Sequence, residues 1–343
     1  MDLPRLPSGL IRFADVRDAG LQRRLAAEVS AGRLERVRRG FYAEAPAATT
    51  PAWRRDELRH LHLVHGAAEA MHAPVFTGLS ALALFGLPTY GRWPHEVSVL
   101  SPGPTGFRRG GVVGVGVSRA PSLVRVGDRV VTSVEYTLIQ VCRVATVAAA
   151  LAAVDAALWV PRRSSGGPRT TLERLRAEHE RLLPYPGSRR TEAVLERATA
   201  RAETVFETAS RLVIEEFGFE PPVLQQRFWL GELGTTADVD FWWPSVRAIG
   251  EADGRGKYLT VDDRRESVGP GAAAQRVIRE KDRENALRRR ADAFERWDWG
   301  EMVRKRPLEQ RLAAMGVPRT RRRRALIGRP DEPALRSTRS RAR

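Results

Sequence analysis

VLQQRFWLGELGTTADVDFWWPSVRAIGEADG, residues 223–254, reads as a three-stranded meander. β-branched and aromatic residues carry the runs Val223–Leu230, Ala237–Trp243 and Arg247–Ala252. Glycine and proline mark the breaks at Gly231–Gly234 and Pro244-Ser245, and Asp253-Gly254 closes the third run. Upstream, the pattern is helical from Thr191 through Phe217. Downstream, a long helix is expected over Ala274–Arg290, then a short strand at Phe294–Trp297.

The carboxylates of this region fall where strand ends can gather them. Asp240 lies on the second strand and Glu251 near the end of the third, with Asp253 two residues on and therefore on the same side. Glu207, on the preceding helix, is a third candidate. Two carboxylates at neighbouring strand ends can bind Mg²⁺, which takes oxygen ligands and keeps several waters. Such an ion activates water and neutralises charge on a scissile phosphate. The same acids facing arginine-rich neighbours can instead form plain ion pairs, and spacing leaves both readings open.

At the other end, residues 10–45 form one unit. A short helix is expected at Ala14–Ala19, a turn at Gly20, and a second helix over Leu21–Ala31 with Leu21, Leu25 and Val29 as its buried stripe. Gly32 ends that helix. Leu34–Val37, a turn at Arg38-Arg39-Gly40, and Phe41-Tyr42 then form a basic hairpin. Helix, tight turn, helix and hairpin is the order of a winged helix-turn-helix, whose second helix enters the major groove while the hairpin meets the backbone. The DNA-binding candidates are Gln22, Arg23, Arg24, Arg33, Arg36, Arg38, Arg39 and Tyr42.

Between these ends, Pro46–Pro51 reads as a linker and Trp53–Met71 as a helix. That helix and its flank carry His60, His62, His65 and His72, expected on the surface because their spacing completes no metal-ligand set. Gly78–Pro88 is a helix closed by Gly and Pro. Glu96–Leu100, Val112–Val117 and Leu123–Val131 are strand-like, and Thr132–Leu158 is helical. The lone cysteine, Cys142, excludes an intrachain disulfide and fits a small core residue in a reducing compartment. The N-terminus lacks an apolar leader core, and the alanine-rich stretch Val144–Val160 contains Asp155. A cytoplasmic protein without a membrane span is therefore expected.

The formal net charge is +17. Ten arginines against Asp331 and Glu332 give residues 319–343 a charge of +8, leaving +9 for residues 1–318. This run is expected to be a disordered arm suited to phosphate contacts without sequence preference.

Two family resemblances cover most of the chain. Residues 10–158 resemble the AbiEi-type antitoxins of type IV toxin–antitoxin systems. The likeness is carried by the helix-turn-helix through Arg39-Gly40-Phe41-Tyr42, by GLSALALFGLP, and by VTSVEYTLIQV with the alanine-rich helix after it. Gln140 departs from the aspartate of that pattern. The resemblance implies a winged helix that represses its own promoter, followed by a region opposing a cognate toxin. Residues 196–304 resemble the very-short-patch-repair endonuclease-like branch of the PD-(D/E)XK nucleases. Here the carriers are Glu207, Gln225, VDFWWP with Asp240, GEADGRGKY with Glu251, Asp253 and Lys257, and REKDRENALR. Helix, meander, helix and strand is also the core order of restriction-endonuclease-like folds. That likeness implies a site of Glu207, Asp240, Glu251, Asp253 and Lys257, with Mg²⁺ on Asp240 and Glu251. It departs at Asp253, where the family pattern has a lysine; Lys257 or Lys281 is the expected substitute.

The expected fold is therefore α+β and multidomain. A winged helix-turn-helix spans 1–46, a mixed α/β antitoxin-like domain 51–160, and a linker 161–190, which opens on Arg162–Pro168 and continues as a charged helical region broken at Pro184-Tyr185-Pro186-Gly187. A restriction-endonuclease-like α/β domain follows at 191–306, then a basic tail at 307–343. Three functions follow: a promoter-binding regulator acting on double-stranded DNA, a Mg²⁺-dependent endonuclease guided by the winged helix, or an interaction protein whose partner is a toxin.

Overall fold

The computed structural model describes residues 2–160, 166–253 and 270–336. Lys257 lies outside these residues. The chain is a mixed α/β protein that divides into two compact units: 1–157 with 169–197 and 331–343, and 158–168 with 198–330.

In the first unit, β1 (Ile11–Arg12), β2 (Leu34–Arg38) and β3 (Phe41–Glu44) form a small sheet in the order β1-β3-β2, and α1 (Ala19–Ser30) packs on it. Ile11, Val16, Leu25 and Leu34 make its buried centre. The expected first helix is a single 3-10 turn, Phe13–Asp15. Gly20 is no turn either. Asp18 caps α1 by accepting from Gly20 N and Leu21 N at 2.7 and 3.1 Å, so Gly20 lies inside the helix. The cap explains the early start, since it satisfies N–H groups that the first turn leaves unpaired.

The rest of this unit carries α2 (Ala52–Ala70), β4 (Val75–Phe76), α3 (Gly78–Leu84), β5 (Val97–Leu100), β6 (Phe107–Arg109), β7 (Val112–Val115), β8 (Leu123–Val126) and β9 (Arg129–Thr132). The six strands form one sheet in the order β6-β7-β5-β4-β9-β8, with β4/β9 and β5/β7 parallel. The stretch expected as one strand over Leu123–Val131 is a hairpin, turned at Gly127 with φ +59°. Two helices, α4 (Val134–Val144) and α5 (Val147–Leu158), replace the single one expected. They part at Ala145, whose backbone is extended (φ −80°, ψ 168°). Cys142 is fully buried in α4, and burial pushes its thiol up to about 12.

The segment expected as a linker, 161–190, contains a helix, α6 (Leu172–Leu182), and the start of another, α7 (Ser188–Leu195). Leu175, Leu182 and Val194 are buried, and Glu135 of α4 takes Thr170 Oγ1 at 2.8 Å and Arg174 at 3.1 Å. The charged helical region expected after Pro168 is α6, and its buried leucines make it part of the first unit rather than a spacer. Of the histidines, His72 is exposed as expected, whereas His60 is buried, stacked on Trp93 at 5.2 Å, with Nδ1 2.7 Å from the Pro94 carbonyl oxygen. Burial pushes its pKa down to about 4, so the ring is a neutral core group.

The second unit begins with α8 (Val205–Glu216), capped by Thr204, which accepts from Glu207 N. β10 (Val223–Leu230), β11 (Thr235–Trp243) and β12 (Ala248–Ala252) form the antiparallel meander. After α9 (Pro270–Arg288), β13 (Ala293–Trp297) returns parallel to β12, giving the order β10-β11-β12-β13. A parallel return needs a long crossover, which α9 supplies. Phe241, Trp243 and Trp297 are buried together, and a Cβ at Gly250 would sit 2.6 Å from the Trp297 ring. Glycine is required there for aromatic packing.

Two short helices follow, α10 (Trp299–Arg304) and α11 (Arg306–Ala314). The expectation of a disordered arm over 319–343 is corrected: backbone bonds hold the chain between Arg319 and Ile327 and again between Glu332 and Arg336. Its physical reason is a set of acceptors hidden from composition, namely Glu216, Gly218, Arg92 and Val144. Residues 337–343 lie outside the described residues. No helix among the described residues is long and apolar enough to cross a membrane.

Candidate functional site

The second unit brings three of the expected acids together at the start of α8 and the ends of β11 and β12. Along β11, Asp238, Asp240 and Trp242 alternate with the buried Val239, Phe241 and Trp243. The register Phe241↔Gly250 runs on towards Asp240 and Glu251. Asp240 Oδ2 accepts from Ala252 N at 2.9 Å, and Oδ1 accepts from Gln225 Nε2 at 3.2 Å. The same amide nitrogen lies 3.3 Å from Glu207 Oε2. Glu207 further accepts from Glu203 N and Thr204 Oγ1, both at 2.9 Å.

Gln225 is therefore the bridge between the two acids, and its backbone is unusual. The pairing of β10 with β11 skips it, Leu224 facing Phe241 and Gln226 facing Val239, and its φ is +50°. A non-glycine residue in that region costs on the order of 1 kcal/mol or more, and such strain collects at functional sites.

Burial pushes Glu207 up to about 8, with the neighbouring Asp240 charge adding to the shift. Asp240 is pushed up to about 6 by burial; the Ala252 N–H bond opposes this and Glu251 reinforces it. At neutral pH the pair holds a proton that an exposed pair would have lost.

Glu251 is held differently. Its Oε1 lies 2.8 Å from Arg283 of α9 and its Oε2 2.7 Å from Arg296 of β13. Arg283 also donates to Asp238 O at 2.9 Å, and Arg296 reaches Glu280 and Glu284. The cations expected from Lys257 or Lys281 are thus supplied at this carboxylate by Arg283 and Arg296. Lys281 is exposed on α9, and Lys257 is outside the described residues. Asp253 stands just past β12, its N–H bonded to Trp297 O at 2.9 Å.

This arrangement does not fit the expected Mg²⁺ site. Both Glu251 oxygens face guanidiniums, and Gln225 Nε2 stands between the Asp240 and Glu207 carboxylates. Among the described residues no group of three or more His, Cys, Asp or Glu is placed to hold a metal ion. A cation between these acids would have to displace two arginines.

In the first unit the expected DNA-binding residues separate into engaged and unengaged groups. Arg33 pairs with Glu28 at 2.6 Å and Arg24 with Asp2 at 3.4 Å. Gln22 Nε2 donates to Val16 O at 3.0 Å. Arg38 is half-buried over Gly66 of α2, and burial lowers its pKa. Tyr42 packs against the Ile11–Leu34 cluster. Arg23, Arg36 and Arg39 are exposed, and none has an acidic partner among the described residues. Glu35 ties the hairpin to α2 through Arg59 at 3.3 Å.

Sequence reasoning missed Arg283 and Arg296 as partners of Glu251, and Thr204 and Glu203 N as partners of Glu207. The arginines had no distinguishing signal, being two among many. Thr204 did: a threonine three residues before Glu207, opening an apolar run, is the sequence pattern of a helix cap.

No protein-family model matches the chain, and no solved structure does. It is 32% identical over 182 residues to two uncharacterized proteins from two strains of Mycobacterium tuberculosis. The match covers 52% of this chain and 62% of each relative, so the chain spans about three-fifths of the length of these curated relatives.

Proposed function

We propose that the chain is a DNA-binding transcriptional regulator of AbiEi antitoxin type, repressing by occupying a promoter. The observation that carries this reading is the capped helix α1 followed at once by the β2–β3 hairpin, with Arg23, Arg36 and Arg39 exposed and without acidic partners among the described residues. In this winged-helix reading α1 is the groove reader and the hairpin is the wing on the backbone. Arg33 and Arg24, already paired, contribute less than the sequence suggests.

The order α8, β10-β11-β12, α9, β13 supports a restriction-endonuclease-like second unit of the very-short-patch-repair branch. Because Glu251 is taken up by Arg283 and Arg296, this unit engages DNA without metal-dependent cleavage. The Glu207–Gln225–Asp240 bridge then serves to fix the ends of α8, β10 and β11.

The test is a combined binding and cleavage assay on the gene's own upstream DNA and a shuffled control, with and without Mg²⁺ or Mn²⁺. Wild type should shift the upstream DNA preferentially and leave it intact, and Arg23→Gln/Arg36→Gln/Arg39→Gln should lose that preference. Equal affinity for both DNAs would defeat the regulator reading. Metal-dependent cutting that Asp240→Asn abolishes would replace it with an endonuclease.

A further inference from the structure

The arginine run after α11 is laid on the end of α8 as a fixed strap. Phe219 and Arg319 form an antiparallel bridge, and Glu220 N donates to Pro318 O at 2.8 Å. The Gly218 carbonyl oxygen accepts from Thr320 N and Arg321 N at 2.9 and 3.1 Å, and Arg324 N donates to Glu216 O at 2.9 Å. The Glu216 side chain, buried, accepts from Leu326 N, Ile327 N and Lys305 Nζ at 2.9, 3.1 and 2.8 Å. Burial alone would raise its pKa, yet Leu326 N–H, Lys305 and Ile327 N–H hold it below the usual carboxylate range. Gly218 has φ +76°, and a Cβ there would meet Arg321 O at 2.1 Å. The strap therefore requires both the charge at 216 and the missing side chain at 218.

Its arginines divide by role. Arg319 stacks on Phe219 at 4.2 Å and pairs with Glu309 at 2.8 Å, and Arg323 stacks on Phe217 at 4.4 Å. Arg321, Arg322 and Arg324 are exposed, and among the described residues their guanidiniums have no acidic partner. Three like charges within four residues repel one another, so holding them on a fixed backbone is a cost that a solvated arm avoids. A polyanion cancels it.

We infer that Arg321, Arg322 and Arg324 form a preordered rail for the phosphate backbone of double-stranded DNA, belonging to the second unit and separate from the winged helix. The three residues span at most about 10 Å of extended chain, enough to reach two or three successive phosphates. Glu216, which anchors the rail, and Glu207 lie nine residues apart on α8, roughly 14 Å along its axis. That separation is within the width of one duplex. The intervening Arg323 is stacked on Phe217 and so turned away from this set. The rail carries no base-reading element, so it adds affinity and salt dependence without changing sequence preference.

This inference rests on the DNA-binding reading, and the salt dependence of binding separates their failures. The full chain would be titrated with a 30-base-pair duplex of arbitrary sequence, roughly three helical turns, over a range of salt concentrations. Arg321→Gln/Arg322→Gln/Arg324→Gln should flatten the log K against log salt slope by about 2 to 3 and leave the preference for upstream DNA intact. Gly218→Ala, with every charge retained, should flatten it in the same direction, its fold checked by circular dichroism. Should that variant not fold, the glutamine triple variant still decides. An unchanged slope in the triple variant overturns the rail while leaving the winged helix standing. Absence of salt-dependent DNA binding by wild type overturns both. A triple variant that keeps its DNA slope but loses binding to anionic vesicles overturns the choice of DNA as partner.

Discussion

Glu207 is only 7% exposed and is pushed up to about 8, against an ordinary carboxylate value of 4.5. A carboxyl whose pKa is higher in the folded state binds its proton more tightly there than in the unfolded chain. Its contribution to stability is therefore complete below the unfolded pKa and is lost as pH rises through the folded one. Asp240, pushed up to about 6, acts in the same sense over a lower window. The second unit should accordingly be more stable near pH 5 than near pH 8, by an amount on the order of 1–3 kcal/mol. Glu207→Gln keeps the shape without the titration, so its melting temperature should change less between those pH values and exceed wild type at pH 8. Parallel wild-type and variant melting curves across this range would refute the assignment. Gln225 is the residue that sequence could name but not explain. Its place in the first strand was legible, whereas φ +50° and the break in pairing opposite Asp240 arise only when the register is known.

Among the elements, the meander was the most legible. The strand Val223–Leu230 and the turns at Gly231–Gly234 and Pro244-Ser245 stand where the sequence puts them, because glycine and proline punctuate runs carried by β-branched and aromatic residues. The entry to α1 was not legible. Gly20 looks like a turn until the Asp18 cap is seen, and the cap decides, because it satisfies two backbone donors at once. Asp18→Ala should destabilise the first unit by about 1 kcal/mol in urea denaturation. An unchanged midpoint would show that the cap bonds contribute nothing. A larger effect belongs to the junction of β12, α9 and β13. Glu251 is 8% exposed and lies between Arg283 and Arg296. Among the described residues, Glu251→Gln would leave Arg283 and Arg296 with only Glu280 and Glu284 as acidic partners, the former half-exposed, at a cost of about 1–3 kcal/mol. Glu251→Gln/Arg296→Gln should recover part of that loss, as coupled sites do. Equal destabilisation by the single and double variants would mean that the charge pair is not coupled. A cleavage test that removes Glu251 would therefore report folding as well as chemistry, which is why Asp240→Asn is the cleaner variant.

At the scale of the molecule, the net charge of +17 was read correctly as an amount and incorrectly as an arm. Composition records how many arginines follow residue 318, but not that Glu216 and Gly218 wait to receive their backbone. The same limit hid the fate of residues 331–336. The sequence places them in a tail, far from the first unit, and the fold makes them part of it. Arg92 N donates to Glu332 O at 2.8 Å, Ala334 N to Arg92 O at 2.9 Å, Thr146 N to Ala334 O at 2.8 Å, and Arg336 N to Val144 O at 3.1 Å. Ala334 is fully buried, and Gly91 (φ +100°) lets the segment pass where a Cβ would meet Glu332 O at 2.9 Å. These bonds close the first unit with an extended segment that comes from the far end of the chain, joined by isolated bridges at Pro333 and Leu335. A truncation after Pro330 removes all four, and each is worth about 0.5–1.5 kcal/mol. It should lower the stability of the first unit by roughly 2–6 kcal/mol, read as an earlier urea transition of that unit. A solvated arm would give no such shift, so an unchanged transition would return these residues to the role their charge first suggested. The expected shift, by contrast, separates two effects of the same arginine-rich segment: residues 319–324 act on the affinity for a polyanion, and residues 331–336 on the stability of the unit that carries α1.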